Sequence, residues 1–420
     1  MEPSHSTSSL AALAWPEFRR LFLSNAFTTL GYRALTLVIG YQVYEITLST
    51  LALGMLGLVE AIPAISLALF GGHVADRFDR RSILVNTLTV LTLCAALFAG
   101  ISSIELEHHQ LWLLYAVVFV AGIARGFGEP AAAAIEAEVV PRELYVNASA
   151  WMASAWLSCA VIGPVIGGIC YGLAGPITTY VMIALFFACA WRTAQGMAPK
   201  PSHPHPDGES IWQSISIGVK YVAGNQVLVG SMALDLFAVL FGGAIALLPV
   251  FAREILDVGP IGLGFLNAAP SAGALAMMIW ATRHPPQRNA GRTLLFAVFA
   301  FGITMIIFAL STNFFLSMVM LTLSGVFDGI SVVIRRAIVR LESPAHLRGR
   351  VAAVSMIFIG SSNEIGALES GVTATLLGTV PSVWMGGIVT LLVVGLTAWK
   401  APMLRGLHIV QGPIEKDKSD

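Results

Sequence analysis

Apolar runs long enough to cross a bilayer recur from one end of this 420-residue chain to the other. A helix rises about 1.5 Å per residue, so a run of about 18 apolar residues or more is a candidate span. The candidates fall at roughly 20–43, 51–74, 82–101, 111–138, 145–172, 177–195, 227–251, 260–281, 292–311, 314–336, 351–375 and 381–400, twelve in all. In lipid every backbone polar group must be satisfied within its own segment, which makes these runs helices. Pro63, Pro130, Pro164, Pro249 and Pro270 fit the same reading, because neighbouring helices re-satisfy the freed groups. Composition closes the soluble alternative: 11% of residues are charged and 56% are hydrophobic, against about 25% charged in soluble domains. The expected fold class is an all-α membrane protein with twelve transmembrane helices in two pseudo-symmetric six-helix halves.

The placing of the charges gives the span count a direction. Lys and Arg collect on cytoplasmic loops. With the N-terminus inside, the cytoplasmic segments hold Arg77, Arg80, Arg81, Arg142, Arg192, Lys200 and Lys220, then Arg283, Arg288, Arg292, Arg340, Arg348 and Arg350, and finally Lys400, Arg405, Lys416 and Lys418. The opposite loops hold Arg253 beside the acidic Glu45, Glu105, Glu107, Glu254 and Asp257. Both termini are therefore expected in the cytoplasm. The opening residues carry Arg19 and Arg20 after their short apolar stretch, the reverse of a cleavable leader. Cys94, Cys159, Cys170 and Cys189 lie in apolar runs without CxxC spacing and read as small apolar side chains.

Between the sixth and seventh spans lies APKPSHPHPDGES, a Pro-rich polar linker. His203 and His205 lack a third ligand for a metal. The stretch from Ile211 to Gly224 is short and amphipathic, as for a helix lying in the cytoplasmic interface. The expected divisions are 1–195 (first half), 196–225 (linker with interfacial helix), 226–402 (second half) and 403–420 (tail).

The halves repeat each other. Residues 122–148 align without gaps on 325–351, matching Gly122 with Gly325, Gly126 with Gly329, Ala134-Ile135 with Ala337-Ile338, Pro141 with Pro344 and Leu144 with Leu347. A weaker alignment sets Leu56, Gly57, Ala61 and Pro63 against Leu263, Gly264, Ala268 and Pro270. Parallel repeats of this kind suit a transporter whose halves rock about a midplane site.

The most specific string, Gly71-Gly72-His73-Val74-Ala75-Asp76-Arg77-Phe78-Asp79-Arg80-Arg81, follows the second span. It resembles the loop signature of the major facilitator superfamily, G-x-L-A-D-R-x-G-R-R, with Val74 and Asp79 as departures. Gly72 suits close helix packing, and Asp76 and Arg80, four apart, can pair. The resemblance implies a cytoplasmic gate of Gly72, Asp76, Arg77, Arg80 and Arg81, with Glu138 and the region of Arg350 as partners. A second string, Gly163-Pro164-Val165-Ile166-Gly167-Gly168, resembles the antiporter motif of that superfamily, although Cys159 replaces an upstream Gly. It implies a helix bend built on Gly163, Pro164, Gly167 and Gly168 and associated with exporters. With YQVYEIT, GLVEAIPA and ALDLFAVLFGGAIALLPVFAREIL, nearly the whole chain is similar to the enterobactin-exporter-like branch, which handles siderophores and drugs.

Charges inside the spans are the site candidates, because each costs at least about 2.5 kcal/mol unless paired or facing water. They are Arg33, Glu60, Arg125, Glu129, Glu136, Asp235, Asp328 and Glu364. Arg125, Glu129 and Glu136 fall on one helical stripe, and Arg125 can pair with Glu129. The repeat makes Arg125 and Asp328 equivalent, so they are expected to form a charge pair across the pseudo-two-fold axis, direct or bridged by substrate. Glu60 and Asp235 have no basic neighbour within a turn of sequence and are the first choices for carrying a proton. Arg335 and Arg336 read as anchors at a helix end, and the Asn147-Ala148-Ser149 sequon falls on the cytoplasmic side.

No GxxxxGK[ST] string is present, so ATP hydrolysis by the chain is not expected. No cofactor, metal or enzyme chemistry is expected either. The reading is a monomeric secondary transporter in a bacterial inner membrane, exporting a siderophore-like or drug-like molecule in exchange for protons. An importer or symporter on the same fold is the second reading, and a non-transporting receptor or scaffold the third.

Overall fold

The computed structural model describes residues 10–104, 109–136, 138–199, 211–242, 244–283, 289–344 and 347–407. Glu105, Glu107, Lys200, His203, His205, Arg288 and the tail from 408 onward lie outside the described residues. Within them the chain is helical and contains no strand. The elements are α1 (Pro16–Thr47), α2 (Thr50–Arg77), α3 (Arg80–Ser102), α4 (Gln110–Glu136), α5 (Tyr145–Gln195), α6 (Ile211–Gly224) and α7 (Gln226–Gly242). They continue with α8 (Leu248–Val250), α9 (Gly259–Arg283), α10 (Ala290–Leu310), α11 (Phe314–Glu342), α12 (Arg348–Leu377), α13 (Thr379–Lys400) and α14 (Pro402–Arg405).

Each expected span except the seventh falls on one of these helices, and among the described residues nine segments are long and apolar enough to cross a membrane. One of the nine is the 51-residue α5, which holds two expected spans. Neither α1 nor α12 is among the nine. In α1 polar side chains run along the middle of the helix, from Asn25 to Gln42.

Local chemistry sets several helix starts. Ser49, Asp79 and Asn313 each accept a hydrogen bond from a backbone N–H three residues on, capping α2, α3 and α11. Asp79 is the departure from the loop signature, and its carboxylate also takes the Ser82 hydroxyl at 2.5 Å.

The fifth and sixth spans are the two limbs of α5, broken at Gly175 (φ 77°, ψ −179°). Only glycine tolerates that conformation readily, and Pro176 starts the second limb. The contacts with α1 show that the chain reverses there. Along the first limb, Cys159 meets Ala26, Gly163 meets Arg33 and Tyr171 meets Glu45. Along the second, Tyr180 meets Gln42, Phe187 meets Gly31 and Ala190 meets Ser24. One limb runs parallel to α1 and the other antiparallel. The non-helical dihedrals within α5 are those of Gly175, and Pro164 lies inside the first limb.

The seventh span is also divided. After α7 the chain passes through a 3-10 turn (Ala244–Leu247), α8 and a π turn (Phe251–Ile255). Pro249 removes a donor in this stretch, which weakens a continuous helix.

Packing separates two compact units. The first comprises Met1–Asp207, Ile245–Ser271 and Gly371–Leu376, and the second comprises Gly208–Ala244, Ala272–Ser370 and Leu377–Asp420. In the first, α1 packs along α5, α2 along α4, and α3 against both α4 and α5. Phe18, Phe98, Tyr180, Ile183 and Phe187 are fully buried there, with Phe98 stacked on Tyr180 at 5.3 Å. In the second, Leu228, Leu234, Leu294, Ile334, Ile338 and Val351 build the core. The amphipathic α6 docks in the second unit: Gly218 lies on the Arg350 carbonyl, and Tyr221 donates to the Glu342 carbonyl at 2.6 Å.

The repeat has a packing counterpart. A Cβ on Gly126 would come within 3.0 Å of the Ala64 carbonyl of α2, and one on its match Gly329 within 3.2 Å of Met277 of α9. Small residues of this kind let membrane helices approach closely. In the glycine pair of the loop signature, Gly71 makes such a contact, against the Gly126 carbonyl. Gly72, expected in that role, has nothing within 4 Å of a Cβ. Gly71→Ala should therefore lower the melting temperature of the purified protein, since overpacking costs about 1–3 kcal/mol. Gly72→Ala should leave it unchanged or raise it slightly, because alanine favours helix by about 1 kcal/mol. Fluorescence-monitored melting in detergent compares the two, and equal values would contradict the assignment.

Candidate functional site

Three clusters of charge, each centred on an arginine, gather most of the residues singled out from sequence. The first lies between α2 and α4. Arg125 donates through Nε to Glu129 Oε1 at 2.6 Å and through Nη1 to Glu60 Oε1 at 3.1 Å. Arg125 and Glu129 meet because residues four apart share a helix face. Glu60 is brought in by packing, since Gly122, one turn before Arg125, sits directly on the Glu60 carbonyl with Pro63 beside it. Glu60 thus has a basic partner, contrary to the expectation that it would stand without one. Glu136, on the same stripe, is the last residue of α4 and has no ion-pair partner among the described residues.

The second cluster lies in the second unit, between α7 and α11. Arg335 Nη1 pairs with Asp235 Oδ1, and its Nη2 lies 3.8 Å from Asp328 Oδ1. The Asp235 and Arg335 side chains are 9% and 11% exposed. This buried pair corrects two expectations. Asp235 has a basic partner, and Arg335 is a member of the buried charge system instead of an anchor at a helix end. Asp328 and Arg335 are two helical turns apart on α11, which places them on one face. Glu364 is half-buried on α12, in an interaction of its own. Arg125 and Asp328, the repeat-equivalent residues, each have an opposite charge inside their own unit.

The third cluster belongs to the loop after α2. Arg80 is buried, pairs with Glu138 and lies 3.6 Å from Asp76. Its Nε also donates to the Ala75 carbonyl at 3.0 Å. The cluster joins Asp76, Arg80 and Glu138 among the six gate candidates. Arg81 instead ties α3 to the end of α5 through the Gln195 carbonyl at 2.5 Å, and Arg77 is exposed with contacts of its own.

Arg33 stands apart. Its guanidinium lies over the Trp156 ring of α5, 5.1 Å from the centroid, a cation–π contact. Gly163 makes room for it, since a Cβ there would come within 2.6 Å of the Arg33 Cβ. Gly167 packs on Ala34 of α1, and Gly168, next in the string, packs on Pro260 and Gly264 of α9.

One further network was not singled out. At one end of the first unit, Tyr44 donates to Glu254, and Tyr171 donates to Glu45 at 2.6 Å. Tyr180 donates to Gln42, which donates to Ser102. The strings YQVYEIT and FAREIL contain four of these residues, so the sequence held the signal without the pairing. Among the described residues no group of three His, Cys, Asp or Glu is placed to hold a metal ion.

Comparison with known proteins agrees with this architecture. A family model described as "Transmembrane secretion effector" matches residues 7–408. The enterobactin exporter EntS of Escherichia coli O9:H4 (strain HS) is 22% identical over 406 residues, covering 96% of each chain. EntS of Shigella boydii serotype 18 is 22% identical over 381 residues, covering 90% of each. A solved POT family transporter in complex with 5-aminolevulinic acid superposes with a TM-score of 0.73 at 11% identity, over 92% of this chain and 96% of that one, a likeness of fold.

The shared arginines generate a quantitative expectation. Asp235→Asn and Arg335→Gln should be non-additive in stability, with an interaction energy of about 0.5–3 kcal/mol, whereas Asp235→Asn and Arg125→Gln should add within about 0.5 kcal/mol. Thermal melts of the single and double variants give both cycles, and additivity of the first would mean the buried pair carries no coupling.

Proposed function

Because this chain belongs to the transmembrane secretion effector family of the major facilitator superfamily, we propose that it exports a small organic molecule in exchange for protons. The coarser statement needs no proposal: it is a multi-pass membrane transporter of the secondary type. The curated relatives are exporters by name, and a siderophore-like or drug-like cargo is carried over from them.

The observation that supports proton exchange is the ratio of acids to bases in the two embedded triads. Arg125 serves Glu60 and Glu129, and Arg335 serves Asp235 and Asp328. Two carboxylates on one guanidinium leave one negative charge that the base does not offset. A proton on one acid removes that imbalance while the other acid keeps the arginine. Loading a proton therefore neutralises the triad, and its release restores one surplus negative charge. The substitutions Glu60→Gln and Asp235→Asn fix one acid of each triad in its neutral form.

Alternating access needs seals that part in turn. On the N-in, C-in orientation, the Asp76–Arg80–Glu138 cluster is the inner lock. The Tyr44–Glu254 and Tyr171–Glu45 bonds are the outer latch. The charge pair of Arg125 with Asp328 belongs to this cycle only in a state where both have left the partners described above. A monomer in a bacterial inner membrane completes the reading.

Inverted vesicles carrying an imposed pH gradient test it. The wild type should release protons when an exported compound is added, and Glu60→Gln and Asp235→Asn should lose most of that release. Full proton-coupled transport in both variants would remove these acids from the coupling path. Absence of gradient-dependent flux for every compound screened would remove the transport mechanism itself.

A further inference from the structure

We infer that Arg33, Trp156 and Tyr32 form a binding site for an anionic aromatic molecule, with its acidic group on Arg33 and its ring against Trp156. The inference rests on the export reading and goes further by giving the cargo a charge and a shape.

The first observation is the charge state around Arg33. Every other arginine described above as embedded has a carboxylate. Among the described residues Arg33 has a ring and no carboxylate within 4 Å. A charged group whose field reaches it is Arg125, of the same sign, and Arg125 is already engaged by Glu60 and Glu129. A cation–π contact offsets only part of the cost of keeping a guanidinium out of water. The remainder is met by an aqueous face or by an anion, and an anion meets it best.

The second observation is Tyr32, the preceding residue of α1. Its hydroxyl is buried and has no hydrogen-bond partner among the described residues. Its ring is held edge-on to Phe187 at 5.5 Å. Buried hydroxyls are normally satisfied, so one that is not marks a place where a ligand oxygen or a water belongs.

The third observation concerns shape. Trp156 is 51% exposed, so about half of the residue is left uncovered by the protein even with the guanidinium over its ring. Planar guanidinium and indole surfaces stack with aromatic rings, and a guanidinium meets a carboxylate with two parallel donors. Gly163 holds Arg33 in this place, because any side chain there would push against the Arg33 Cβ. The glycine of the antiporter-like string thus serves the position of a charge as well as the packing of two helices.

Salicylate, a small anionic aromatic, tests the site directly on the full chain in lipid nanodiscs, with binding followed by saturation-transfer NMR. The wild type should bind salicylate at least about tenfold more tightly than neutral benzamide, as expected for a charge-assisted contact. Arg33→Gln should abolish that preference, Arg33→Lys should keep part of it, and Tyr32→Phe should weaken salicylate severalfold. Arg19→Gln removes an exposed positive charge from the same helix and should change nothing. Equal binding of salicylate and benzamide by the wild type, which needs no variant to fold, would overturn the proposal. So would an unchanged preference in Arg33→Gln. Salicylate preference that persists in a protein without proton-driven flux would sink the transport reading and leave the site standing. Flux alongside a preference indifferent to Arg33 would do the reverse.

Discussion

A charge inside a membrane protein must be answered locally, and the arrangement of this molecule follows from how the arginines described above are answered. Arg125 and Arg335 are each shared by two acids, Arg80 is held by Glu138 with Asp76 nearby, and Arg33 lies on an indole. The energies at stake are several kcal/mol per ion, comparable to the whole net stability of many domains. Such groups persist only where their partners are held in place, and the helices are arranged to hold them.

The holding is done largely by residues with no side chain. Gly122 lets α4 reach the backbone of α2 at Glu60, which brings the Glu60 carboxylate to Arg125. Gly163 lets α5 pass beside Arg33 and delivers Trp156 to its guanidinium. In both cases a close backbone approach and a polar contact are one feature seen at two levels. Without a hydrophobic drive between helices in lipid, packing and polar contacts carry the association. The glycines therefore bear on transport chemistry as much as on the fold.

The fold was legible because helix periodicity, length and charge alternation act within short windows of sequence. The span boundaries, the capping residue Asp79 and the i, i+4 pairing of Arg125 with Glu129 are all local. What was not legible depends on contacts between distant segments. Nothing near Glu60 or Asp235 in sequence announces Arg125 or Arg335 as a partner, so both acids read as unpaired. Arg335 read as an anchor because it falls at the end of the 314–336 run, and its spacing of seven from Asp328 could not show that Asp235 of another helix lies beside it. Gly71 and Gly72 are indistinguishable in sequence, and only the direction of α4 decides which one is in contact.

The turn at Gly175 bears on how the molecule is made. Two membrane-length limbs meet there with a single non-helical residue between them. A span followed by a loop can enter the bilayer alone and wait for the next one. These limbs have no slack, so the first cannot settle until the second has begun to turn back beside it. Both limbs lie along α1, one parallel and one antiparallel, so straightening the chain at Gly175 would strip one of them from that helix.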